Sequence, residues 1–121
     1  MANEFSSITF ALTLTNGLLT DTIPNRTYQV TQTTPGKYED VWNVGTSEES
    51  LTAFGGITNG GLCWVKNLDL TNYIDIGPAT TVYLIRLKPG EFAFFRLLPA
   101  ADLFAKANTA AVNLHLKIYS D

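Results

Sequence analysis

The sequence has 121 residues, room for one core, and is 45% hydrophobic but only 16% charged, a balance that excludes a disordered chain. Eight Lys and Arg against eleven Asp and Glu give a net charge of −3, with the cations scattered from Arg26 to Lys117, so direct nucleic-acid binding by phosphate neutralisation is not expected. One Cys, one His and one Met exclude an internal disulfide framework and fall short of the ligands that a zinc site needs.

No apolar run approaches the roughly 18 residues of a membrane-spanning helix. The first residues, Met1 to Ser7, have neither the basic start nor the apolar core of a signal peptide, so synthesis in a cytoplasm is the expectation. The sequon Asn25-Arg26-Thr27 then has no physical use and reads as chance.

In chain order, Ile8, Phe10, Leu12 and Leu14 alternate with Thr9, Ala11, Thr13 and Thr15, the period of a half-buried strand. Asn16-Gly17 marks a turn. Residues 26–33 alternate more weakly, with Tyr28 and Val30 expected inward, and stop at Thr34-Pro35-Gly36. Residues 38–45 carry Val41, Trp42 and Val44. Residues 47–54 are entered through Thr46-Ser47-Glu48-Glu49, which resembles a capping box, but Gly55-Gly56 follows so soon that a short strand or turn is expected.

Gly60-Gly61 introduces a strand over 62–68, and a second covers 73–76 before Gly77-Pro78. Residues 81–87 and 92–98 flank Lys88-Pro89-Gly90-Glu91 and read as a hairpin with a Pro-Gly loop. Residues 100–107 have helical composition, with room for two turns at most between Pro99 and Asn108. The last strand is the cleanest: Val112, Leu114, Leu116 and Ile118 point one way, and Asn113, His115, Lys117 and Tyr119 the other.

Eight to ten short strands with turns every eight to twelve residues predict an all-β fold. Its leading form is an antiparallel jelly-roll-like sandwich. One domain spans 1–121, with residues 1–6 as an optional extended arm. The pattern leaves open whether the first thirty residues join the barrel or reach a neighbour.

No catalytic constellation emerges. His115 lies on the polar face of its strand, without a G-x-S-x-G elbow elsewhere. Cys63, between Leu62 and Trp64, reads as a buried inert thiol. Glu39-Asp40 and Glu48-Glu49 are adjacent pairs, and neighbours on a strand point to opposite faces. The oxygens of residues 67–72 offer calcium a partial loop pattern with few acids. The chain is therefore expected to be no enzyme and to carry no cofactor or metal.

The segments 81–87 and 92–98 are apolar on both faces, the pattern of a central strand or of one covered by another subunit. Tyr83, Arg86, Phe94, Phe95 and Arg96 are the residues expected at such a subunit interface, Arg being common there.

The runs Gly60-Gly61-Leu62-Cys63-Trp64-Val65-Lys66-Asn67-Leu68-Asp69, Thr71-Asn72-Tyr73-Ile74-Asp75-Ile76-Gly77, Leu87-Lys88-Pro89-Gly90-Glu91-Phe92-Ala93-Phe94-Phe95-Arg96-Leu97 and Leu103-Phe104-Ala105-Lys106-Ala107 resemble the layout of small virion structural proteins of tailed bacteriophages. The resemblance covers roughly residues 60–119. It implies a non-enzymatic jelly-roll capsid cement or decoration protein, located in the virion. Its partners would be itself, as a homotrimer, and the major capsid protein, with no membrane and no direct nucleic acid. Two other readings remain. One is a carbohydrate-binding or receptor-binding sandwich using Trp42, Trp64, Tyr28 or Tyr73 as stacking platforms; the other is a neck or tail component.

Overall fold

The computed structural model describes residues 3–32, 35–51, 55, 57, 59–98 and 101–121, with side chains from residue 8 onward. Ten strands and no helix occur among these residues, and the paired strands are antiparallel throughout. The chain divides into two units, Met1–Thr34 and Pro35–Asp121.

The first unit is a hairpin of β1 (Asn3–Asn16) and β2 (Leu19–Gln32). Asn16 pairs with Leu19, so the loop is only Gly17 and Leu18. Gly17 has φ +58° while Leu18 keeps a negative φ, the type II′ geometry whose twist matches that of the strands it joins. A register shift between Phe10/Arg26 and Leu12/Ile23 bulges out Pro24-Asn25, where the missing Pro N–H breaks no ladder bond. Tyr28, expected inward, is 43% exposed; within a two-stranded ribbon there is no second layer to cover it. Thr33 and Thr34, the expected end of this strand, lie outside the described residues.

The second unit is a sandwich. Its strands are β3 (Lys37–Val44), β4 (Glu49–Leu51), β5 (Gly60–Asn67), β6 (Ile74–Gly77), β7 (Ile85–Leu87), β8 (Phe92–Arg96), β9 (Leu103–Ala107) and β10 (Val112–Ser120). They form two four-stranded sheets in the orders β3-β10-β5-β8 and β4-β9-β6-β7. Only β6 and β7 are consecutive strands paired with each other; every other connection crosses from sheet to sheet. Eight strands wound this way make a jelly roll, the architecture expected from the turn spacing.

Alternation sets which residues fill the space between the sheets. Val112, Leu114, Leu116 and Ile118 of β10 meet Cys63 and Val65 of β5, and the opposite sheet supplies Ile74, Ile76, Leu103, Ala105 and Ala107. All are buried. Small residues on β9 let the sheets approach, while Trp42, Tyr38 and Phe95 close the margins.

Three expectations need correction. Residues 100–107 hold no helix: 103–107 are strand β9, and Ala100, with Pro99, lies outside the described residues. Leu103, Ala105 and Ala107 alternate with Phe104 and Lys106, and burial between β4 and β6 overrides the helix propensity of alanine. The strand expected over 81–87 covers only 85–87. Thr81 sits at φ +60°, held by its N–H donating to Glu48 at 2.7 Å. Finally, β7 and β8 do not form a hairpin; they belong to opposite sheets. The turn between them is real: Glu91 N–H donates to the Lys88 carbonyl at 3.0 Å and Gly90 has φ +79°. With Pro89 preceding the positive-φ Gly90, it is a type II turn, which splays its flanking segments instead of pairing them.

The short strand expected within 47–54 is β4; residues 52–54 and Gly56 lie outside the described residues.

Candidate functional site

Register puts two contrasting faces on the hairpin. The pairs Thr9/Thr27, Thr13/Thr22 and Thr15/Thr20 occupy one face, and Ile8/Tyr28, Phe10/Arg26, Leu12/Ile23, Leu14/Asp21 and Asn16/Leu19 the other. One face is a threonine ladder suited to water. The other is apolar, yet Phe10, Leu14, Leu19, Ile23 and Tyr28 are 37–60% exposed.

On the sandwich, the outward residues of the sheet β3-β10-β5-β8 fall into rows across its strands. One row runs Val41, His115, Lys66, Phe92, and the next Glu39, Lys117, Trp64, Phe94. Phe92 and Phe94 are 58% and 46% exposed, and Val41 49%. The Trp64 and His115 rings meet edge to face at 5.0 Å, and Lys117 Nζ lies 5.5 Å from the Trp64 ring centre. Beside them, His115 Nε2 lies 2.8 Å from Glu39 Oε2, and Lys37 Nζ 3.1 Å from Glu39 Oε1. The hydrogen bond from His115, followed by that from Lys37, holds the Glu39 carboxyl down at about 2. Charged and aromatic groups thus interleave, with Phe92 and Phe94 on the β8 edge and Lys66 and Lys117 on the central strands.

The five expected interface residues do not converge. Phe94 and Arg96 face outward on β8, with Arg96 Nη1 donating to Asp121 at 2.9 Å. Phe95, between them, packs against the core. Arg86 lies on the opposite sheet, forks onto Asp75 at 2.7 and 2.9 Å, and sits 3.9 Å above the Tyr73 ring. The Tyr83 hydroxyl donates to Glu48, which pushes the phenol up to about 12. The same outer face carries Val41, Phe92 and Lys117, which were not among the expected interface residues; the strict alternation of β10 fixes its own outward residues, and pairing extends the rows to β3, β5 and β8.

At the open margin between β7 and β8 a groove of about 250 Å³ is lined by Ile76, Pro78, Leu84, Phe95, Leu97 and Leu98. The loop after β5 is turned onto itself. Asp69 Oδ2 accepts the Thr71 and Asn72 N–H groups at 3.0 and 2.6 Å, and these bonds hold its carboxyl below the usual range. Among the described residues no group of three or more His, Cys, Asp or Glu is placed to hold a metal ion. Burial pushes the Cys63 thiol up to about 12. Of the four candidate sugar platforms, Trp42 packs on the core, Tyr73 lies under Arg86, Tyr28 is on the hairpin and Trp64 is on the outer sheet face. In comparisons with known proteins, no family model, no curated protein and no solved structure matches the chain.

Proposed function

We propose that the chain is a non-enzymatic virion structural protein, a cement or decoration protein that associates with itself as a homotrimer and binds the major capsid protein of a tailed bacteriophage. The observation that carries this reading is the outer face of the sheet β3-β10-β5-β8. Phe92 and Phe94 are exposed there on the β8 edge, beside the half-buried Trp64, with Lys66 and Lys117 on the two central strands and Glu39 and Val41 on the opposite edge. Exposed aromatic anchors beside charged groups are the kind of surface that binds another protein. The jelly-roll order and the resemblance of residues 60–119 to phage virion proteins support the same reading.

The test is binding to purified capsid shells, with sedimentation of the free protein. Expected are a species of three 13.3 kDa chains, or a pair of such trimers, and co-sedimentation with shells, lost on Phe94→Asp. A 13.3 kDa monomer that ignores capsid shells overturns the proposal.

A second reading, a carbohydrate-binding module, draws on one observation: Trp64 lies on an exposed sheet face. The Lys117 ammonium over its ring occupies space where a sugar would stack, which favours the protein partner. Tryptophan fluorescence titrated with oligosaccharides distinguishes the two.

A further inference from the structure

The hairpin of β1 and β2 has a mainly apolar stripe, interrupted by Arg26, Asp21 and Asn16, with no second layer among the described residues of its own unit. An isolated two-stranded hairpin is marginal in water. At about 3.3 Å per residue and about 4.8 Å between strands, the stretch 8–16 that carries the stripe, with its partners on β2, presents a face of roughly 30 by 10 Å. Two such faces together remove on the order of 600 Å² of surface, the size of a small contact that acts beside a larger interface.

The register also shows which occupant fits. Three levels are evenly spaced along β1: Phe10 beside Arg26, Leu12 beside Ile23, and Leu14 beside Asp21. Beyond them lie Ile8 beside Tyr28 and Asn16 beside Leu19. The stripe is thus balanced about Leu12/Ile23, with its one cation on one side and its one anion on the other. A two-fold axis running across the strands at that level sets Asp21 of each copy against Arg26 of the other, twice. It also sets Leu12 on Leu12, Ile23 on Ile23, Phe10 on Leu14 and Tyr28 on Leu19. The other face-to-face arrangement, with the axis along the strands, stacks Asp21 on Leu14 and leaves the carboxylate buried without a cation. Charge complementarity selects the first.

We infer that the hairpin is a self-pairing element, whose apolar face packs against the same face of a second copy about a two-fold axis at Leu12/Ile23, with reciprocal Asp21–Arg26 ion pairs. This is an isologous contact. It rests on the reading of the chain as self-associating, and adds a two-fold contact that is distinct from any three-fold contact of the sandwich.

The test uses full-length protein and a bismaleimide cross-linker with a reach of about 8 Å, suited to facing sheets about 10 Å apart. The parent chain, whose lone thiol Cys63 is buried, is the blank. Leu12→Cys is expected to give a covalent two-chain product on a denaturing gel; Thr13→Cys, on the threonine face, is not. Adding Asp21→Arg or Arg26→Asp singly to Leu12→Cys lowers the yield about tenfold, because like charges then meet. Mixing the two reversed variants restores it. Equal cross-linking from Leu12→Cys and Thr13→Cys, or no restoration on mixing, overturns the inference. If cross-linking fails while the parent still sediments as an oligomer, only the hairpin contact falls; if the parent is a monomer, self-association falls with it.

Discussion

Asn67 ties three segments together through one buried side chain. Its Nδ2 donates to the Asn72 and Leu87 carbonyls at 2.9 and 3.0 Å, its Oδ1 accepts the Asp69 N–H at 2.8 Å, and its backbone binds Gly90 and Glu91. Asn67→Ala leaves buried partners unpaired and is expected to cost about 1–3 kcal/mol in denaturant unfolding. Glu39 makes a pH-dependent contribution. Its folded pKa is about 2, below the ordinary carboxylate range, so its stabilisation is complete above that range and is lost as pH falls toward 2. Glu39→Gln is expected to flatten the dependence of stability on pH between roughly 4.5 and 2, read from unfolding midpoints across that window. A dependence unchanged by the substitution would remove Glu39 from the account.

Elements differ in how far local sequence determines them. β10 was legible because its apolar residues alternate without interruption and it lies centrally between β3 and β5. The turn at Pro89-Gly90 was legible too, since Gly90 supplies the positive φ. Its consequence was not, because whether the segments pair depends on which sheet each one joins. β9 was hidden by alanine, whose propensity says helix while its small size suits a tightly packed sheet. Of the residues expected at an interface, Arg86 and Arg96 were identifiable as polar groups in apolar strands. Their sorting onto opposite sheets needed the tertiary crossing. Gly77 is fixed by the connection it precedes: a Cβ there would lie 1.7 Å from the Val82 carbonyl oxygen. Gly77→Ala must displace the backbone of 82–83 and is expected to cost about 1–3 kcal/mol or more, measured by thermal unfolding. Glu48 should be loosened in the same variant, moving the Tyr83 phenol back from about 12 toward its ordinary value.

At the scale of the molecule, the division after Thr34 separates a unit that holds a core from one that has no buried apolar cluster among the described residues. Residues 35–121 contain the whole buried cluster and are expected to fold alone with one cooperative transition. Residues 1–34 alone are expected to give little strand signal by circular dichroism, as a lone ribbon should. A well-ordered, monomeric 1–34 peptide would contradict that division of labour.

The crossing connections have a consequence for how the chain is made. β3, the first strand of the sandwich to leave the ribosome, pairs only with β10, the last. Such distant pairing makes closure slow, on the millisecond-to-second scale of β sandwiches, whereas a hairpin such as β1–β2 forms in microseconds. During synthesis both strands of the hairpin are therefore available to pair long before the sandwich is complete. The sandwich remains open until residue 120 has been translated, so a nascent chain interrupted before β10 has no route to the finished sheet and exposes its apolar strands to proteolysis.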